Sequence, residues 1–314
     1  MKRSTKATLA LLIVTVSWGW TFVWMDDALM AGKAVSPEGL WPIIALFMVI
    51  RFSLAVVTVP FFVKGSIRRF SSSELRGGFV LALLLVLGFL LQLWGLDRVT
   101  APVSAFLTSL YVIFTLLMTT IAARRAPRKG LMVGALLATF GAGFISGPPH
   151  VNFALGEGLS VGCAFVFAVH ILATDYYTKR EDPAALTFLS FLGTAVLTLV
   201  VLVIATTTND AVDTDTLIAI ASDEAFLWPT VLSSVFATSL ALTLMNFFQR
   251  DLPPVRAAIL YALEPIWASM VALSIGQTEP TLWLYIGGGA LLLGNLVAEL
   301  LNPDKRVEDL SVAS

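Results

Sequence analysis

Long apolar runs separated by short polar connections make up most of the chain, and each run is continuous rather than alternating. Ten stand out, at 8–29, 40–63, 77–95, 101–123, 131–147, 158–177, 184–206, 226–248, 257–276 and 282–300. A bilayer core takes about 20 apolar residues per helix. Backbone groups in lipid must be satisfied within the segment, so each run predicts a membrane-spanning helix. A β-barrel would show short strands of alternating polarity instead. The first run follows Lys2, Arg3 and Lys6 and holds Trp18, Trp20 and Trp24 where a signal peptide would carry a small-residue cleavage site. It therefore reads as a retained first span.

Charge sets the orientation. With the connections numbered alternately, 17 of the 20 Lys and Arg residues fall on the side of the N-terminus; only Lys33 and Arg98 fall opposite, and Arg51 lies within a span. Cytoplasmic connections carry the excess of Lys and Arg. Both termini are thus expected in the cytoplasm, which requires an even number of spans and places the chain as a multi-pass protein of the cell membrane. The longest outer connection, 207–225, carries Asp210, Asp213, Asp215, Asp223 and Glu224 without a basic residue, and is expected to be an irregular acidic loop.

Composition agrees. Hydrophobic residues make up 57% of the 314 positions and charged residues 13%, against about 25% charged in a soluble domain. Lipid is the solvent that such a surface fits. The net charge of −1 and the lack of a basic stripe interleaved with aromatics argue against nucleic acid. The single cysteine, Cys163, excludes an internal disulfide framework and a cysteine-based metal site. No zinc or phosphate-loop motif is present, so neither a cofactor, a resident metal nor an ATP-driven pump is expected. Gly158-Leu159-Ser160-Val161-Gly162 matches the nucleophile-elbow pattern, but it opens an apolar span and no acid lies between it and His170. Asp213-Thr214-Asp215 has no companions that would complete a metal site.

The spans divide into two groups of five. Shifted by 154, Asp97 falls on Asp251, and Val103-Ser104-Ala105-Phe106-Leu107 falls on Ala257-Ala258-Ile259-Leu260-Tyr261. Gly134 and Gly141 have the separation of Gly287 and Gly294. An odd number of spans per copy inverts the second copy, the arrangement of many secondary transporters, whose substrate path lies between the repeats. The expected architecture is all-α, with ten transmembrane helices in two inverted repeats, 8–147 and 157–301.

Ser17-Trp18-Gly19 with Phe22, Arg51-Phe52, Arg256-Ala257-Ala258, Leu263-Glu264-Pro265 and Gly276-Gln277 stand in the order and spacing of a known family. The chain resembles the EamA-type transporters of the drug/metabolite transporter superfamily, over nearly its whole length. Where that family usually places a glutamate after the glycine that ends the ninth span, this chain has Gln277. The resemblance implies carriage of an amino acid or similar small metabolite, with export as the direction.

Four residues are candidates for contact with the substrate. Arg51 lies mid-span, where a lipid-facing arginine costs about 2.5–3.5 kcal/mol, so it reads either as a cavity cation for a carboxylate or as half of a structural pair. Glu264 precedes Pro265, which is expected to kink the ninth span and free carbonyls beside the carboxylate; a buried hydrogen bond fixing the kink is the plainer alternative. His170 is mid-span, and a lone histidine is more often a packing residue than a relay. Trp18 is placed either to wall a cavity or to pack, whereas Trp24 reads as an interfacial anchor. Gln92 and Asn246 read as interhelical hydrogen bonds. Rows of small residues (Gly134, Ala138 and Ala142; Ala290, Gly294 and Ala298) predict close helix packing, as scaffold and as a candidate homodimer contact.

These readings predict a secondary transporter working by alternating access on a small molecule. A channel is the rival, although channels usually place the pore on an oligomer axis, and a membrane-embedded enzyme is the more remote one.

Overall fold

The computed structural model describes residues 3–124, 127–144, 154–208, 212–276, 279 and 281–301. Among the described residues there is no strand. In chain order the helices are α1 Arg3–Val35, α2 Leu40–Phe62, α3 Ser72–Leu96, α4 Ala101–Ser109, α5 Tyr111–Ala123, α6 Lys129–Phe144, α7 Leu155–Thr178, α8 Pro183–Thr207, α9 Thr214–Ser222 and α10 Glu224–Leu232. A π-helical stretch, Ser233–Leu240, joins α10 to α11 Ala241–Phe248; α12 Pro254–Tyr261, α13 Glu264–Ser274 and α14 Leu282–Leu300 follow. Seven described segments are long and apolar enough to cross a membrane, and two shorter apolar helices, Lys129–Phe144 and Leu282–Ala298, stand with them.

Local chemistry sets several boundaries. Ser71 starts α3 through a capping box: its hydroxyl accepts from Glu74 N at 3.1 Å, while Ser71 N donates to Glu74 Oε2 at 2.8 Å. Asp182 caps α8, followed by Pro183 in the first turn, where a missing N–H costs nothing. The acidic connection is not irregular. Asp213 accepts from Thr216 N at 2.8 Å and nucleates α9, and Asp223 accepts from Ala225 N at 3.0 Å to start α10.

Two expected spans are interrupted. The fourth is divided at Leu110 into α4 and α5, although no proline lies near. The ninth breaks at Ala262 and Leu263, before Pro265 rather than at it. Pro265 occupies the first turn of α13, so it begins a helix instead of kinking one.

Packing joins helices distant in sequence. α2 lies along α8, α3 along α7 and α8, α1 along α10, α11 and α13, and α6 along α14. The last pair uses the small residues: a Cβ added at Gly134 would come within 2.8 Å of Ala298 Cβ, and one at Gly294 within 2.7 Å of Ala138 N. The rows expected as scaffold therefore face each other within one chain. Gly77 and Gly78 let α3 approach Tyr177, Leu186 and Leu189 in the same way.

Candidate functional site

α1, α2, α3, α4, α5, α7, α11, α12 and α13 converge on a cavity. Trp18, Arg51, His170 and Glu264, the four residues singled out in the sequence, all stand on its wall. Each interrupted span meets the cavity near its break. Thr108 closes α4 and Tyr111 opens α5; Tyr261 ends α12 and Glu264 opens α13.

Arg51 is fully buried, and among the described residues no carboxylate pairs with it. Its Nε donates to Thr238 Oγ1 at 2.6 Å, and Nη1 points to Met25 Sδ at 3.6 Å. The guanidinium lies over the Phe89 ring, 4.5 Å from its centroid, with Phe47 and Phe52 at 5.7 and 5.8 Å. Nη2 has no hydrogen-bond partner. A buried ion normally needs a counter-ion or a full set of hydrogen bonds. Arg51 has neither, and its unused donors belong to a residue on the cavity wall.

The π-helical stretch holds this arginine. Thr238 Oγ1 accepts from Arg51 Nε and donates to Ser233 O, five residues back, at 3.1 Å. Ser234 Oγ donates to Arg51 O at 2.6 Å. Ala237 O accepts from the Trp18 indole N–H at 3.0 Å, and the Trp18 ring packs 5.1 Å from Tyr261. One wide helical turn thus fixes two of the predicted wall residues. π-helical turns gather at functional sites.

Glu264 is 4% exposed and makes no hydrogen bond or ion pair among the described residues. It is the first residue of α13, where unsatisfied backbone N–H groups and the helix dipole favour a carboxylate. Tyr261 is oriented by donation to Gln249 Oε1 at 3.0 Å, and Gln249 Nε2 donates in turn to Ile171 O at 2.8 Å. His170 is buried on α7 without a hydrogen bond among the described residues. The remaining wall is largely apolar, with Phe22, Leu85, Phe89, Phe167 and Met245.

Several sequence readings change. Gln92 faces the cavity rather than a neighbouring helix, whereas Asn246 donates to Thr187 Oγ1 at 3.0 Å as expected. Trp24 is half-buried against Trp20 and Phe236. Ser160 lies inside α7, its hydroxyl donating to Gly156 O, so the elbow-like motif is ordinary helix. Gln277 lies outside the described residues. Among the described residues no group of three His, Cys, Asp or Glu side chains is placed to hold a metal ion. Thr21, Thr108, Tyr111 and Tyr261 were not singled out. The signal for Tyr111 was present, because the 154 shift aligns Leu110-Tyr111 with Glu264-Pro265.

Comparison with known proteins now bears on this geometry. The model of the EamA-like transporter family matches residues 5–147 and again 154–299. An Archaeoglobus fulgidus protein described as an uncharacterized transporter is 26% identical over 294 residues, covering 94% of this chain and 86% of its own. A crystal structure with 16% sequence identity superposes with a TM-score of 0.72 over 95% of this chain and 97% of its own. That likeness concerns the fold alone.

Proposed function

The chain belongs to the EamA-like transporter family, and on that premise we propose that it exports a small zwitterionic metabolite, an amino acid or a close relative, across the cytoplasmic membrane. The observation that carries this reading is that Arg51 and Glu264 both line the same cavity. They stand on one cavity wall, come from distant parts of the chain, and are not paired with each other. A carboxylate would take the unused guanidinium donors. An ammonium would meet the Glu264 carboxylate, and the aromatic wall would accept an apolar side chain.

The proposed frame is ten spans in two inverted five-helix repeats, with both termini in the cytoplasm. The two successive matches to one family model support it. So do the paired breaks, at Leu110 and at Ala262–Leu263, which the 154 shift brings within one or two residues of each other. Helices interrupted near the midplane, with half-helix ends at the substrate, are the working parts of such carriers. Alternating access would follow from rocking of the halves around the charged pair.

The test uses purified protein, first in detergent and then in proteoliposomes. Thermal stabilisation is screened with proteinogenic L-amino acids, their amides, and the matching decarboxylated amines. An amino acid that stabilises the protein should lose that effect as its amide or its amine, and should drive counterflow, which a channel would not support. Arg51→Ala and Glu264→Gln should each abolish both effects while leaving folded protein in the membrane. Full transport by both variants would defeat the assignment.

A further inference from the structure

Ser104, Thr108, Tyr111 and Thr115 recur along α4 and α5 at spacings that hold side chains on one helical face. Leu110 keeps right-handed helical torsions, so the face carries through the break. All four are buried, with exposures of 0%, 2%, 3% and 0%. The hydroxyls of Ser104, Tyr111 and Thr115 lack a hydrogen-bond partner, and that of Thr108 has only the Cys163 thiol beside it.

Hydroxyls in an apolar helix normally donate to a carbonyl three or four residues back. Thr119 and Thr120 on α5 do so, as do Thr187, Thr194 and Thr198 on α8. Thr108 and Tyr111 face the cavity. Ser104 lies one turn to one side of them and Thr115 one turn to the other. The row is about 16 Å long at 1.5 Å per residue. Under the 154 shift Ser104, Thr108 and Tyr111 correspond to Ala258, Ala262 and Pro265, and only Thr115 keeps a hydroxyl, at Ser269.

We propose that this row is a hydrated file, and that it is the wall along which the polar groups of the cargo pass between the central cavity and the membrane surfaces. A buried water is held by two to four polar partners, and hydroxyls that both donate and accept supply them in sequence. The inference rests on the cavity reading for its cargo, but its physical content is water access, which is measured without knowing the substrate.

The lone native thiol makes the measurement simple. In a Cys163→Ala background, single cysteines are placed in the row (Ser104→Cys, Thr108→Cys, Tyr111→Cys, Thr115→Cys) and at two equally enclosed positions turned away from it (Ala105→Cys, Leu116→Cys). Reaction with a water-soluble methanethiosulfonate reagent is followed in membranes and normalised to the thiols titrated after unfolding. Ser104→Cys and Thr115→Cys are expected to react at least about tenfold faster than the two controls, because a dry thiol ionises less. Equal rates, or reaction confined to Thr108→Cys and Tyr111→Cys, would overturn the file. A measurement without substitution accompanies it: hydroxyl-radical footprinting should oxidise Tyr111 and spare Phe52 and Phe191, and sparing of Tyr111 would also overturn it. An unreactive row in a protein still stabilised by an amino acid defeats the file alone. A reactive row in a protein that no zwitterion stabilises defeats the cavity reading alone.

Discussion

Replacing Arg51 by methionine separates a structural cation from a working one, because the two roles demand opposite signs of the stability change. The buried guanidinium has one strong partner, Thr238 Oγ1 at 2.6 Å, a long contact to Met25 Sδ, and the face of Phe89 at 4.5 Å. A hydrogen bond to a charged group contributes about 1.5–3 kcal/mol, and a desolvated cation–π contact about 2 kcal/mol. Against these stands the desolvation of the ion, several kcal/mol after relaxation, which no counter-ion offsets. Thr238 is not orphaned by the change, since its hydroxyl still donates to Ser233 O. Replacing buried ionic groups by apolar side chains of similar volume is often neutral or stabilising, by about 1–4 kcal/mol where it stabilises, and the missing counter-ion puts Arg51→Met on the stabilising side. The variant should therefore unfold at a higher temperature in detergent than the native protein, while losing transport in proteoliposomes and all stabilisation by zwitterions. A lower unfolding midpoint with transport retained would refute the reasoning and make Arg51 a strut.

Further outcomes follow from other parts of the structure. Thr238→Val removes the acceptor of Arg51 Nε while Thr238→Ser keeps it, so the valine variant should weaken ligand-dependent stabilisation by about tenfold or more; equal loss in both would mean that the hydroxyl does not orient the guanidinium. Gly134→Ala drives a Cβ against Ala298 and the carbonyl of Gly294, and should cost about 1–3 kcal/mol in thermal or denaturant unfolding. Gly288→Ala, where a Cβ meets nothing within 4 Å, should not. Hydrogen bonds from Thr216 hold the Asp213 carboxyl below the usual carboxylate range. A lowered folded-state value contributes stability that is present above the unfolded value and lost as pH falls through the folded one. Amide protection of α9 should accordingly persist at neutral pH and fade in acid, and Asp213→Ala should abolish that dependence in hydrogen exchange.

The all-helical class was legible because ten apolar runs leave little else to form. The cavity residues were legible for a related reason. Arg51, Glu264 and His170 are costly in lipid, and residues that a membrane disfavours stand out against an apolar background. What stayed hidden was the hydrogen-bond register of the backbone. Hydropathy marks a rod as greasy but does not distinguish α from π winding, so Ser233–Leu240 read as ordinary span. The break at Leu110 carries no proline or glycine; nothing in the local sequence opposes a continuous helix there. The α9 helix was missed for a different reason. Asp213 with Thr216 three residues on is a helix-start signal, but the neighbouring Asp215 drew attention to metal chemistry instead.

The π-helical stretch also explains how a lone cation can be both fixed and available. A normal α-turn would send each backbone N–H to the carbonyl four residues back; the wider turn shifts that pattern by one residue. Here the carbonyl of Ala237 accepts from the Trp18 indole, while Ser234 and Thr238 both reach across to α2. Ser234 grips the backbone of Arg51 and Thr238 grips its Nε, so the residue is held at both ends by a single short stretch. Neither grip uses the Nη2 end, which has no hydrogen-bond partner. The same arrangement ties the cation to the α10–α11 rod rather than only to its own helix. On the proposed transport reading, any motion of that rod against α2 must either carry Arg51 with it or break those bonds. The charge that would receive a carboxylate is thereby part of the joint that would have to move.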